Sequence, residues 1–261
     1  MATEKSFMPS EEEIDRLATQ ESMEEARDII SDMELKLQEA RTNSRDGAVI
    51  AKDLLQAASN LRLKVRAVSL PGLGALTHRL EDYLTSIRTI EKPHIADLQH
   101  FSDRISALLD GDELPATDIP SVVRDLPRKR TFDVEDISTV EIDVTLVMPQ
   151  RTAARVVERE LAACGYRVST VLDPFEALEL ILETKPDLVV TGMVMPRLTG
   201  VDLACALAAM PSTRSTPVAV LTSLAPGHPD LAALPMHAGL IRRGAQFGDD
   251  LAHVLQRFSI T

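Results

Sequence analysis

The stretch Val171–Leu207, VLDPFEALELILETKPDLVVTGMVMPRLTGVDLACAL, decides the fold of the second half of this chain. It reads as the end of one β-rich run at Leu172, a helix near 174–184, a short apolar strand at Leu188–Thr191, and a helix near 200–210. Strands alternating with helices in this way imply a parallel sheet covered on both faces.

The same alternation extends in both directions. Strands are expected at Ile142–Met148, Arg167–Leu172, Leu188–Thr191, Val218–Thr222 and Gly239–Arg242, with helices near 151–163, 174–184, 200–210 and 246–258. Five strands and their helices in about 120 residues predict an α/β unit over 140–261, a flavodoxin-like doubly wound five-stranded parallel sheet. Ligands of such sheets sit at the carboxyl ends of the strands.

The preceding residues follow a different period. Ser10 caps an expected first helix whose Glu11, Glu12 and Glu13 suit the positive end of the helix dipole. Ile14, Leu17, Ala18, Ala26, Ile29, Ile30, Met33 and Leu37 recur at helical spacing. A second helix spans about Gly47–Val68, and Ser69-Leu70-Pro71-Gly72 breaks it. A third carries Leu73, Leu76, Leu80, Tyr83, Leu84 and Ile87. A fourth opens at Pro93 and ends at Gly111. Four helices joined by short loops predict an antiparallel four-helix bundle over 1–110. Residues 111–139, with three prolines and no sustained period, read as a linker. Within it, Arg128-Lys129-Arg130 is either a small docking patch or solvated linker charge.

Composition narrows the function. The 261 residues carry a net charge of −12, much of it in residues 4–39, which argues against a nucleic-acid binder. Aromatic residues make up only 3%, so both cores are expected to be aliphatic. Cys164 and Cys205 have no CxxC partner and are expected to be buried free thiols. The start, MATEKSFMPSEEE, lacks a signal pattern, and no apolar run approaches membrane-spanning length. A cytoplasmic protein is expected, with no membrane partner. The histidines show no metal-ligand spacing, and no GxSxG, Walker loop or GxGxxG is present. No metal or cofactor is expected.

The string DLVVTGMVMPRLTG (Asp187–Gly200) resembles the response-regulator receiver family, whose members usually read DLVLLDxxMPxxDG there. Met195, Pro196 and Gly200 match, and the resemblance covers most of 142–258. Thr199 replaces the second aspartate, and the acceptor aspartate position holds Gly192. The acidic pair that ends the first strand in this family falls on Met148-Pro149, or on Pro149-Gln150 if the register slips by one. In the family those acids supply oxygen ligands to magnesium, and the metal offsets charge on the transferring phosphoryl group. A thioether, a proline, a neutral amide and a glycine supply neither ligand set nor nucleophile. Thr222 matches the hydroxyl that normally contacts the phosphoryl group, and Arg242 and Arg243 replace a lysine and the proline after it. Thr222 and Arg242 either retain anion binding or, for Thr222, simply end a strand.

The helical half resembles the histidine-phosphotransfer family, through LPGLGALTHRLEDYL (Leu70–Leu84) as its third-helix segment. Counting back places that family's acceptor motif on Ala57–Val65. Ser59 stands at the acceptor histidine, Arg62 at a lysine, and Leu63 at a glycine whose bareness lets a receiver approach. A serine phosphate is a stable ester, whereas a phosphohistidine hands its phosphoryl group on. His78 is the other acceptor candidate, but Glu81 and Asp82 stand where a lysine and a small residue belong.

Together the resemblances imply a pseudo-phosphotransfer bundle joined to a pseudo-receiver. Such a chain is a non-enzymatic adaptor of two-component or chemotaxis signalling. It would dock histidine kinases, receivers or phosphotransfer proteins, or pair with a second copy around Leu240–Leu255. The alternatives are a nucleotide or anion sensor using Thr222 and Arg242, and a residual phosphotransfer protein acting through His78.

Overall fold

The computed structural model describes residues 10–129 and 142–260. The chain divides between Ala116 and Thr117 into two units.

The first unit contains α1 (Glu11–Arg41), α2 (Gly47–Val65), α3 (Leu73–Thr85) and α4 (Lys92–Leu109). Helix α1 packs on α2 and α4, and α3 packs on the same two, which closes a four-helix bundle. Ser10 caps α1 by accepting from the Glu13 amide at 3.2 Å. Met33 and Leu37 of α1, Leu54 and Leu61 of α2, Leu76 and Leu80 of α3, and Phe101 of α4 are all at most 1% exposed. The Tyr83 and Phe101 rings meet at 5.4 Å, and the Tyr83 hydroxyl donates to Asp97 Oδ2 at 2.6 Å. The helical period overreaches at one point. Ile14 and Leu17 are 52% and 51% exposed, and the first buried residue of α1 is Ala26. Helix α2 stops at Val65 rather than Val68, because the amides of Ala67 and Val68 turn to the carbonyls three residues back, which tightens the last turn.

The second unit is a five-stranded parallel sheet in the order β2-β1-β3-β4-β5. Its strands are β1 (Asp143–Val147), β2 (Arg167–Val171), β3 (Leu188–Gly192), β4 (Val218–Thr222) and β5 (Gly239–Arg242). Helices α6 (Arg151–Ala163), α7 (Pro174–Thr184), α8 (Gly200–Ala209) and α9 (Phe247–Phe258) wind around it. The expected α plus α/β architecture and the doubly wound sheet are both present. Alternate residues of β1 and β3 pack with α6 and α9 in one apolar cluster: Val144 and Leu146, Leu188 and Val190, against Leu161, Leu251 and Val254. Between β4 and β5 the only helical element is a 3-10 turn at Pro229–Leu231.

Two expectations need correction. Residues 111–139 were expected to be linker throughout, yet Ile119–Asp125 forms a helix, α5, on the second unit. Its apolar positions Ile119, Val123 and Leu126 span barely two turns, too short a period to stand out among three prolines. Residues 130–139 of that stretch lie outside the described residues, as does Arg130 of the basic cluster. Lys129 of that cluster donates to Glu158 Oε1 at 2.6 Å. The cysteines were expected to be buried. Cys164 is exposed at the end of α6, where the chain turns at Gly165, and Cys205 is half-buried, its thiol 3.2 Å from the Ala233 carbonyl oxygen.

Candidate functional site

The parallel register brings the five expected receiver-pocket residues to one end of the sheet. Met148 and Pro149 follow β1 directly, Gly192 ends β3, Thr222 ends β4 and Arg242 ends β5. Val147 pairs with Thr191, Gly192 with Leu221, and Thr222 with Arg242, so all lie at the carboxyl edge.

Met148 continues the line Val144-Leu146 and belongs to the same apolar cluster, at 2% exposure. Gly192 continues the line Leu188-Val190. The two lines are neighbours, so a β-carbon placed on Gly192 would lie 3.6 Å from Met148 Cγ and 3.8 Å from the Val147 carbonyl oxygen. That is ordinary contact, so Gly192 is not imposed by crowding at its own β-carbon. What faces the position is thioether carbon, and the core extends to the end of the sheet where the family resemblance expects carboxylates.

The loop after β3 is held tightly. The Gly200 amide donates to the Met193 carbonyl at 3.0 Å, and a β-carbon on Gly200 would sit 2.4 Å from the Gly192 carbonyl oxygen. Only glycine fits there, which explains its match to the motif. Thr199 caps α8 in a reciprocal box: its hydroxyl accepts from the Asp202 amide, and Asp202 accepts from the Thr199 amide at 2.9 Å. Hydrogen bonds from Thr199 hold the Asp202 carboxyl below its ordinary range. Arg197, in the left-handed region at φ 66°, reaches back to Asp173 and lies 4.9 Å over the Phe175 ring.

Thr222 and Arg242 are both engaged elsewhere. Thr222 is 3% exposed, and its hydroxyl accepts from the Leu224 amide at 3.1 Å. Arg242 forks onto Asp250 at the start of α9, with Nε and a terminal nitrogen each 2.8 Å from a carboxylate oxygen. The Arg242 backbone amide donates to the same carboxylate at 2.9 Å. The hydrogen bonds from Arg242 are the main reason that the Asp250 carboxyl lies below its ordinary range. The sequence carries no spacing motif for this pair, and the expected anion-facing role of Arg242 overlooked it.

In the bundle, Ser59, Arg62 and Leu63 lie on α2. The Ser59 hydroxyl donates to Glu81 Oε1 at 2.7 Å, with the Leu55 carbonyl oxygen at 3.0 Å. Arg62 pairs with Glu81 Oε2 at 2.7 Å and lies 3.2 Å from His78 Nδ1. The two separately considered acceptors, Ser59 and His78, therefore share one polar seam between α2 and α3. Glu81 ties the seam together, a role that its place three residues after His78 did not reveal. His78 is only 4% exposed, while Leu63 is 64% exposed on the outer surface.

Among the described residues, no group of three or more His, Cys, Asp or Glu side chains is arranged to hold a metal ion. No helix among them is long and apolar enough to cross a membrane.

Parts of this chain are similar to known proteins. Protein PilG of Pseudomonas aeruginosa is 32% identical over 82 residues, 31% of this chain and 61% of that protein. Transcriptional regulatory protein PrrA of Mycobacterium leprae is 44% identical over 66 residues, 25% of this chain and 28% of that protein. A protein-glutamate methylesterase/protein-glutamine glutaminase of Anaeromyxobacter dehalogenans is 37% identical over 100 residues, 38% of this chain and 27% of that protein. The chain thus spans from about a quarter to three fifths of these relatives' length. Among solved structures, the signal receiver domain of a histidine kinase from Syntrophus aciditrophicus is 27% identical, with a TM-score of 0.40, over 45% of this chain and 90% of that one. The family model for the response regulator receiver domain matches residues 144–239, and that stretch of the chain is a receiver domain.

Proposed function

We propose that this chain is a non-catalytic adaptor or regulator of two-component or chemotaxis-type signalling, in which a receiver domain without phosphoacceptor chemistry is joined to a phosphotransfer-like bundle that has also lost its acceptor. Docking is its activity. Histidine kinases, receivers or phosphotransfer proteins are the partners, and a second copy is another.

The observation that carries this reading is the continuity of the core to the carboxyl edge. Met148 is buried beside Gly192, with carbon where a magnesium site needs oxygen. The bundle supports it independently. The Ser59 hydroxyl is committed to Glu81, and Leu63 projects outward one turn further along α2. A bulky exposed leucine there suits an apolar contact and opposes the close approach that phosphoryl transfer requires. Anion sensing finds less support, since Thr222 and Arg242 already have partners at short range.

The test is to incubate the full chain with an active histidine kinase, labelled phosphoryl donor and magnesium, and to measure complex formation in parallel. Binding without label transfer is expected. Label on an aspartate, serine or histidine of this chain would overturn the proposal.

A further inference from the structure

Two charged residues at the amino end of the sheet are buried, and buried charge needs a partner. Asp143 opens β1 at 6% exposure, and Arg167 opens β2 at 7%. They lie 3.5 Å apart, Oδ1 to Nε. A lone pair of this kind is a poor source of stability, so what else they bind is the informative question.

Arg167 spends its guanidinium on backbone. One terminal nitrogen donates to the carbonyls of Val123 at 2.9 Å and Leu126 at 2.7 Å, and the other to that of Arg124. These carbonyls belong to the last turn of α5, where no further helical amide is available to them. A cation at a helix C-terminus also meets the negative end of its dipole. Asp143 completes the arrangement by accepting from Arg124 Nε at 3.0 Å. Asp187, just before β3, accepts from the Asp143 amide at 2.8 Å and from Arg124 at 3.4 Å. The apolar side of α5 is equally committed. Ile119, Val123 and Leu126 are each at most 2% exposed, and α5 packs on α7.

We infer that the amino end of this sheet is a built docking site for a short helix, occupied in cis by Ile119–Leu126, with Arg167 as the residue that recognises the helix C-terminus. The site reads three backbone carbonyls through a planar fork, one acidic-basic clasp through Asp143 and Arg124, and apolar side chains one turn apart. Its ligand class is a short amphipathic helix ending in free carbonyls with an arginine in its last turn. The segment lies wholly outside residues 144–239, the receiver match. A seven-residue helix has no stability of its own in water, so α5 exists because this site holds it. The inference is independent of whether the domain has lost phosphoryl chemistry.

Hydrogen exchange on the full chain tests it, comparing wild type with Arg167→Lys and Arg167→Met. A lysine ammonium keeps the charge but cannot span three carbonyls. The expected result is that amides within 121–126 exchange roughly tenfold faster or more in Arg167→Lys while β3 and β4 keep their protection. Arg167→Met should exchange faster still in 121–126. If Arg167→Met fails to fold, Arg167→Lys alone decides. Unchanged protection of 121–126 in Arg167→Lys overturns the assignment. So does a uniform loss across the unit in which 121–126 exchanges no faster than β1.

Discussion

The two ends of one sheet treat charge in opposite ways. At the amino end, Asp143, Arg167, Arg124 and Asp187 form a clasp, with two of the four buried below a tenth exposure. At the carboxyl end, where the family resemblance expects carboxylates, Met148 and Gly192 continue the apolar core. β1 and β3 contribute to both ends. The difference shows that this fold tolerates buried charge where each charged group meets an opposite charge or a row of carbonyls. At the carboxyl edge, the same two strands present a thioether and a bare glycine instead.

The sharpest way to break that contrast is to put a carboxylate at the carboxyl edge. Met148→Asp would place a carboxylate in the apolar cluster beside Gly192. It should cost about 4 kcal/mol in urea unfolding at neutral pH, with the loss shrinking on acidification as the acid becomes neutral. A cost below about 1 kcal/mol would mean that the edge still accepts an acid. The converse change removes charge where it is paired. Asp143→Asn removes the carboxylate that both Arg167 and Arg124 meet and should cost about 3 kcal/mol by the same measurement. Gly200→Ala probes the loop between these features. Its β-carbon would collide with the Gly192 carbonyl oxygen, and a loss of about 2 kcal/mol is expected.

The smallest effect belongs to the Arg242–Asp250 fork, which is partly exposed. The Asp250 carboxyl is depressed in the folded chain. Its contribution is therefore present above the usual aspartate range and lost as pH falls through the lowered folded value. Arg242→Met should lower the melting temperature slightly at pH 7 and flatten the acid limb of the thermal-stability profile, so that variant and wild type converge as pH falls below the usual aspartate range near about pH 4. A profile identical to wild type would show that the fork is solvated and contributes nothing.

Much of this was legible in the residues. Every expected strand end lies within one residue of the observed one, because runs such as Val218–Thr222 are apolar on both faces and bounded by proline or polar residues. Ser10 and Pro93 marked helix starts for local reasons that tertiary contacts did not override. Gly192 and Met148 lie at strand ends and Ser59 lies within a helix, as the expected elements imply. Pairings across the chain left no local trace: Arg242 with Asp250, Ser59 with Glu81, Arg167 with the end of α5. Each joins residues on different elements, and their types alone do not name a partner. α5 itself escaped notice because two turns give too short a period to read. Ile14 and Leu17 show the reverse error, since a helical stripe says which side is apolar without saying whether anything covers it.

The central claim is that the carboxyl edge has lost its acceptor chemistry. Incubating the full chain with magnesium and a small-molecule acyl-phosphate donor, then measuring intact mass, tests it most directly. The expected result is an unchanged mass, with no magnesium-dependent rise in melting temperature. A gain of one phosphoryl group that disappears with alkaline hydroxylamine would reveal an acyl phosphate on this chain and contradict the claim.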